Sequence, residues 1–213
     1  MFSGMGIRPY RLRKRLEQQQ QTRQHIVEAT TALHEEVGPA ATTISAIAER
    51  AGVQRLTVYR HFPEERGLYQ ACSAHWNAAH PPPDPSAWTS LREPRARLRA
   101  ALTALYSYYR SGAGMLTKVF RDAAEIPAVA EVILPFRHYL RQRADDLARA
   151  WPASRHERLR RAAIAHALEF DTWRSLSAQG LTEAEAAEVM VGMVTGVRRR
   201  ERTVRGSRVE REP

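Results

Sequence analysis

Apolar residues recur at helical spacing along nearly the whole chain, and no stretch alternates apolar and polar residues as a half-buried strand would. That periodicity restricts the fold to packed helices, an all-α architecture. From Gln20 to Val37, the residues Ile26, Thr30, Leu33 and Val37 form one stripe, stopped by Gly38-Pro39. The next helix takes Thr42 or Thr43 as its N-cap, presents Ile44, Ile47, Ala48 and Ala51 on one face, and ends at Gly52. Helical spacing resumes in VQRLTVYRHF and runs up to Pro63. Helices this short are unstable alone in water, so both must lean on their neighbours.

A longer helical run follows, EERGLYQACSAHWNAAH, with Pro63 suited to its first turn. It ends at PPPDPSAWTS, residues 81–90, a proline-rich connector and the clearest boundary in the chain. Beyond it the spacing predicts a helix over Leu91–Ser111, a break at Gly112-Ala113-Gly114, and a shorter helix over Met115–Ala124. Ile126–Ala150 should start near Pro127 and break or kink at Pro135. Arg155–Gln179 and Thr182–Arg200 complete the set. Between those two, Gly180 fits a left-handed C′ position, Leu181 the apolar contact after it, and Thr182 with Glu185 a capping box. The expected division is a basic flexible arm at 1–19, a three-helix domain at 20–80, the connector at 81–90, a larger helical domain at 91–200 and a basic tail at 201–213.

The formal net charge of +10 sits at the ends. Residues 1–24 carry six basic groups against Glu17, a net of +5, and residues 198–213 carry seven arginines against three glutamates, a net of +4. Basic blocks at chain ends favour polyanions. A single cysteine, Cys72, permits no disulfide framework and suits a reducing compartment. No apolar run is long enough for a signal peptide or a membrane span, so a cytoplasmic protein without a membrane partner is expected. His75 and His80, and His25 and His34, lack the spacing of a helical metal site, and Cys72 with His75 does not close one. No nucleophile elbow, phosphate loop or dinucleotide fingerprint is present, which argues against an enzyme and against a cofactor.

The two short helices have the layout of a helix–turn–helix, which places its second helix in the DNA major groove. Val58 and Phe62, four apart, should bury against Ile47 and Leu33. The pairs Arg55–Tyr59 and Leu56–Arg60 then point away from that face. Such a surface offers what base reading needs, since Arg pairs with guanine, Gln with adenine and apolar atoms with the thymine methyl. Thr43, Thr57 and His61 supply donors for phosphate oxygens. Residues 25–80 hold four arginines against six glutamates, a net of −2, so non-specific affinity must come from the arm. Arg11–Arg15, including Arg13, Lys14 and Arg15, are expected on the DNA backbone or in the minor groove.

The stretch TTISAIAERAGVQRLTVYRHFP resembles the DNA-binding signature of the tetracycline-repressor (TetR) family of bacterial transcription regulators. Thr43, Ile47-Ala48, the Ala51-Gly52-Val53 turn, Thr57, Tyr59, His61 and Phe62 carry the resemblance, which covers roughly residues 20–80. It implies that Gln54, Arg55, Leu56, Tyr59 and Arg60 face bases, and that Thr43, Thr57, Tyr59 and His61 face phosphates. Two positions depart from the pattern. Gln54 replaces the usual serine cap of the recognition helix, and Glu65 stands where a lysine is common, leaving Arg66 to take over a phosphate contact.

In the second region Tyr106, Tyr109, Phe120, Phe136, Tyr139, Phe170 and Trp173 fall at helical spacing and read mainly as core. The resemblance implies an inducer pocket there in some members. Tyr109, His138 and His166, polar groups within apolar stretches, are candidates to orient a ligand, with Tyr106, Phe120, Phe170 and Trp173 as candidate walls. On the final helix Ala186, Val189, Met190, Met193 and Val197 form an apolar stripe beside Gly192 and Gly196. Leu159, Ala163, Ala167, Phe170 and Trp173 form another on its partner. Duplicated across a two-fold axis, the hairpin would make a four-helix homodimer interface, as the family does. The expected function is a homodimeric, one-component transcriptional regulator, a repressor that a small molecule releases from a pseudo-palindromic double-stranded DNA operator. The alternative is a ligand-binding or protein-interaction module on the same fold that no longer reads DNA, for which Glu64 and Glu65 are the motive.

Overall fold

The computed structural model describes residues 7–197, and every regular element among them is a helix. The first, α1, spans Ile7–Glu36 and starts well before the expected Gln20. The segment from Ile7 to Gln19 is therefore helix, which corrects its assignment to a flexible arm; residues 1–6 lie outside the described range. Its composition explains the extension. Leu, Arg, Lys and Gln are strong helix formers, and Pro9 falls in the first turn, where its missing N–H is harmless. Packing does not hold this part, since Tyr10, Leu12 and Leu16 are all exposed.

Three shorter helices complete the head: α2 (Ile44–Arg50), α3 (Arg55–His61) and α4 (Glu65–Ala79). Their core joins Ile26, Val27 and Leu33 of α1, Ile47 and Ala48 of α2, Val58 and Phe62 of α3, and Leu68 and Cys72 of α4. Val37, expected on the α1 stripe, lies beyond the helix end and is exposed. Pro63 precedes α4 rather than opening it, and Glu64 takes the cap position.

The body comprises α5 (Ser86–Thr89), α6 (Pro94–Ser111), α7 (Ala113–Asp122), α8 (Pro127–Val132), α9 (Leu134–Arg149), α10 (Glu157–Ala167), α11 (Phe170–Ser177) and α12 (Glu183–Thr195). The proline-rich connector is pinned rather than loose. Trp88 is buried in the body core, and the Tyr139 hydroxyl donates to the Pro83 carbonyl at 2.7 Å. Pro127 and Pro135 both fall in first helical turns, so the expected break at Pro135 separates α8 from α9. Only Gly112 separates α6 from α7, and Gly114 is helical. At Gly180, φ is 81°, and the Thr182–Glu185 capping box is complete. Residues 198–200 and the basic tail at 201–213 lie outside the described range.

The expected single helix over Arg155–Gln179 is two helices, broken at Leu168-Glu169. No proline or glycine marks that break. The carbonyls it frees find side-chain donors instead: Tyr106 Oη donates to Ala167 O at 2.8 Å, Tyr109 Oη to Leu168 O at 2.6 Å, and Thr172 Oγ1 to His166 O at 2.6 Å. Buried tyrosines on α6 thus satisfy a helix terminus that would otherwise leave its carbonyls unpaired.

Trp76, near the end of α4, belongs to the body core, whereas Leu68 and Cys72 one and two turns earlier belong to the head. A second seam runs between the α1–α2 loop and α7. There the buried Asp122 carboxylate accepts from the Ala40 amide at 2.9 Å and pairs with Arg121 at 2.6 Å. Burial pushes that carboxyl up, but the Arg121 guanidinium and the Ala40 N–H outweigh it and hold it below the usual carboxylate range.

Candidate nucleic-acid interface and seam cavity

Thr43 caps α2 with extended backbone, its Oγ1 accepting from the Ala46 amide at 3.1 Å. That bond uses the oxygen as acceptor and leaves the hydroxyl proton for an outside oxygen. Gly52, with φ of 66°, then turns the chain in the left-handed region that favours glycine. At the start of α3, Gln54 occupies the cap position but makes no side-chain cap bond, so its amide is not spent on the helix. Along α3 the division is sharp. Val58 and Phe62 are 0% and 5% exposed, while Leu56 is 75% and Tyr59 46% exposed. Arg55 and Arg60 are also exposed, and Thr57 and His61 are half-buried. Leu56, that open to water, contributes little to the head core.

Arg55, Leu56, Tyr59 and Arg60 are thus exposed on α3 with Thr57 and His61 half-buried among them, and Thr43 is exposed at the start of α2. Arg66 is the exception. Its Nε pairs with Glu131 of α8 at 2.8 Å, both side chains remaining largely exposed, so Arg66 faces the body in this structure rather than the α3 surface. Arg23 is a residue the sequence reasoning missed. It reaches from α1 to lie 4.7 Å above the Phe62 ring, bringing a cation to the end of α3. Partial burial, Arg60 and Arg23 together lower the His61 pKa, so its imidazole is neutral at pH 7 and presents one N–H. Arg13, Lys14 and Arg15 are exposed on the projecting turns of α1, and Arg13 pairs with Glu17 at 2.9 Å.

Between head and body lies a cavity of about 90 Å³. His34, Tyr69, Ser73 and Trp76 approach from α1 and α4, and Tyr108, Met115 and Phe120 from α6 and α7. Of the seven predicted pocket residues only Phe120 lines it. Tyr106 and Tyr109 are corrected to structural roles, since their hydroxyls serve α10. Phe170 and Trp173 are buried in the body core around Tyr109. His138 is exposed beside Gln142, and His166 lies against Thr172, away from the cavity. Of the three tyrosines on α6, Tyr108, which was not singled out, is the one that lines it.

The predicted dimer residues divide in the same way. Leu159, Val189 and Met193 are exposed at 46%, 42% and 59%, and Gly192 and Gly196 are exposed beside them. Ala163 and Val197 are half-buried. Ala167, Phe170 and Met190 are buried in the chain's own core and are corrected from interface to core. The final helix is apolar on two faces. One buries Ala186, Ala187, Met190, Val191 and Val194, and the other is open.

Residues 26–72 match the family model of bacterial regulatory proteins of the tetR family. Over 57 residues the chain is 37% identical to the HTH-type transcriptional regulator AcrR of Shigella flexneri, a match covering 27% of this chain. It spans only 26% of the length of that relative. The fold continues beyond the matched segment. A TetR-like transcriptional regulator from Rhodococcus sp. RHA1 superposes with a TM-score of 0.58 at 17% identity, over 82% of this chain and 93% of that one. A tetR-family transcriptional regulator from Streptomyces coelicolor gives a TM-score of 0.58 at 18% identity, over 82% and 79%. The helix–turn–helix segment of this chain is therefore similar in sequence to bacterial regulatory proteins of the tetR family, and most of the chain shares the fold of solved tetR-family regulators.

Proposed function

We propose that this protein is a homodimeric transcriptional regulator that binds double-stranded DNA through α3 and releases it when a small molecule occupies the body. The outward surface of α3 carries this reading: Arg55, Leu56, Tyr59 and Arg60 are exposed on a helix fastened from behind by Val58 and Phe62. Arg55 and Gln54 suit guanine and adenine edges, and Leu56 suits a thymine methyl. Thr43, Thr57 and His61 would set register on phosphates. The open face of α12 around Val189, Gly192 and Met193, with Leu159 of α10, would seat a second copy. Two α3 helices about 34 Å apart would then enter successive major grooves of a pseudo-palindromic operator.

Glu64 and Glu65, the motive for a module that has lost DNA binding, sit at the cap and first turn of α4, where carboxylates favour the helix N-terminus. That local role accounts for them. The test is selection of bound fragments from the source genome at graded salt, followed by the same titration with residues 1–18 deleted. A palindromic fragment bound at least ~10³-fold more tightly than bulk DNA supports the reading, as does a flatter salt slope after deletion. Uniform weak binding to all fragments would refute it.

A further inference from the structure

Three polar side chains, each at least nine-tenths buried, line the seam cavity without a hydrogen-bond partner. Trp76 is 7% exposed, and its indole N–H is buried and unpaired. Tyr108 is 8% exposed, and its hydroxyl makes no hydrogen bond, unlike those of Tyr106 and Tyr109 on the same helix. His34 is 4% exposed; its imidazole lies tilted against the Tyr69 ring at 5.5 Å and makes no hydrogen bond either. A buried polar group left without a partner is uncommon and costly. The Trp76 indole N–H is such a group, and Tyr108 and His34, whose polar atoms also make no hydrogen bond, line the same cavity; together they mark a place suited to a polar occupant.

The rest of the lining defines that occupant. Met115, Leu116, Val119, Phe120, Val129 and Phe136 give an apolar wall, and among the described residues no lysine, arginine, aspartate or glutamate lines the cavity. The volume, about 90 Å³, equals the liquid share of roughly three waters and falls short of the ~150 Å³ cavity that accommodates benzene. A ring therefore enters only if the wall yields, and Met115 is the adaptable part of it.

We propose that the seam cavity binds a small, neutral, single-ring compound whose hydroxyl or carbonyl oxygen is held by Trp76, Tyr108 and His34, and that it rejects carboxylates and ammonium compounds. This specifies the ligand of the regulator proposed above and rests on that reading for its regulatory meaning, but not for binding itself. An oxygen on the ring accepts from the Trp76 indole, a pure donor, while Tyr108 and neutral His34 can each donate or accept. A carboxylate would enter an apolar wall with no cation to meet it.

The full chain is titrated by calorimetry with phenol, benzene and benzoate. Phenol should bind, benzene more weakly, and benzoate not measurably. Tyr108→Phe should weaken phenol about 2- to 10-fold, one net hydrogen bond, leave benzene unchanged, and leave the melting temperature unchanged or raised because no internal bond is lost. Trp76→Phe should show the same ligand pattern. Benzoate binding as well as phenol, phenol affinity unaltered in both variants, or a folded protein that takes up no phenol would each overturn the assignment. A parallel shift assay on the selected operator separates the two proposals. Phenol binding without any DNA binding sinks the regulator and keeps the ligand class; operator binding without phenol binding does the reverse.

Discussion

Substituting Phe62 and Tyr59 separately tests whether one short helix divides its work between holding the head together and touching DNA. Phe62 is 5% exposed, packs in a head core of nine buried residues, and carries Arg23 over its ring at 4.7 Å. Truncating it to alanine leaves a cavity in a small core and should cost about 3–5 kcal/mol. Loss of the Arg23 contact adds roughly 0.5–1 kcal/mol at so exposed a site. With a urea dependence of about 2 kcal/mol per molar, the midpoint should fall by about 2 M. Tyr59 is 46% exposed, and its truncation should move the midpoint by no more than about 0.3 M, the scale of a surface change. Operator affinity should respond in the opposite order. Tyr59→Ala should lose tenfold or more while the head stays folded, since an aromatic contact at an interface centre is worth above ~1.4 kcal/mol. Urea denaturation by circular dichroism and a shift assay on the selected operator read the two quantities separately. Equal shifts of the urea midpoint, or a Tyr59→Ala protein that binds operator as the parent does, would refute the division.

Gly38→Ala should destabilise more than Gly52→Ala. Both glycines have positive φ, at 93° and 66°, but a Cβ at Gly38 would stand 2.6 Å from Arg121 Nη2 and 2.8 Å from Asp122 Oδ2, whereas Gly52 faces open space. Gly52→Ala should cost about 1–2 kcal/mol of backbone strain. Gly38→Ala should add the displacement of Asp122 from the Ala40 amide, and equal costs in urea would remove the seam from the account. His34 should make the fold acid-sensitive well above the carboxylate range. Burial lowers its pKa from 6.5 to about 4 against a raising influence of Asp122, so between those values the unfolded chain takes up a proton that the native chain refuses. The stabilisation is complete above pH 6.5 and lost as pH falls, by about 2 kcal/mol at pH 5, and His34→Phe should flatten that slope. Asp122, held below 3.8, adds its own loss only at lower pH. Met193→Glu should give a folded monomer by light scattering, because an isologous contact places the two carboxylates near each other; a dimer of unchanged affinity would move the interface elsewhere.

The head was largely readable from the chain because local rules and tertiary need agree there. Thr43 caps, Gly52 turns, and Val58 with Phe62 bury, each for a reason visible within a few residues. The body was readable in its punctuation, at Pro127, Pro135, Gly180 and the Thr182–Glu185 box. It was not readable where one element completes another. The α10–α11 break carries no breaker residue and exists because Tyr106 and Tyr109 arrive from α6 to take its carbonyls. Those bonds decide the fate of three tyrosines within four positions of one helix, and helical spacing cannot tell which of them meets a carbonyl and which a cavity. Arg23 was hidden similarly, since only the packing of α1 on α3 brings it over Phe62.

The geometry also sets how much a ligand can do. The head is joined to the body at two places, through α4, which carries Leu68 and Cys72 in one core and Trp76 in the other, and through Asp122 against the Ala40 amide. The seam cavity lies between them and is bounded by both partners. A ring larger than the cavity must part α4 from α7–α9, so the unexpanded head position and the occupied cavity compete for one equilibrium. A ligand shifts such an equilibrium only by its difference in affinity for the two positions. Two or three hydrogen bonds at about 0.5–1.5 kcal/mol each, made only in the expanded state, supply roughly 1–4 kcal/mol. That converts to about a 5- to 1000-fold change in operator affinity. Gly112 offers a way to impose the same displacement without ligand. A Cβ there would stand 2.9 Å from Trp76 Cζ2, pressing α4 away from the start of α7. If parting the seam is what releases DNA, Gly112→Ala should bind operator more weakly in the absence of ligand and respond less to phenol. A variant that keeps full operator affinity and full phenol response would break the link between the cavity and the head.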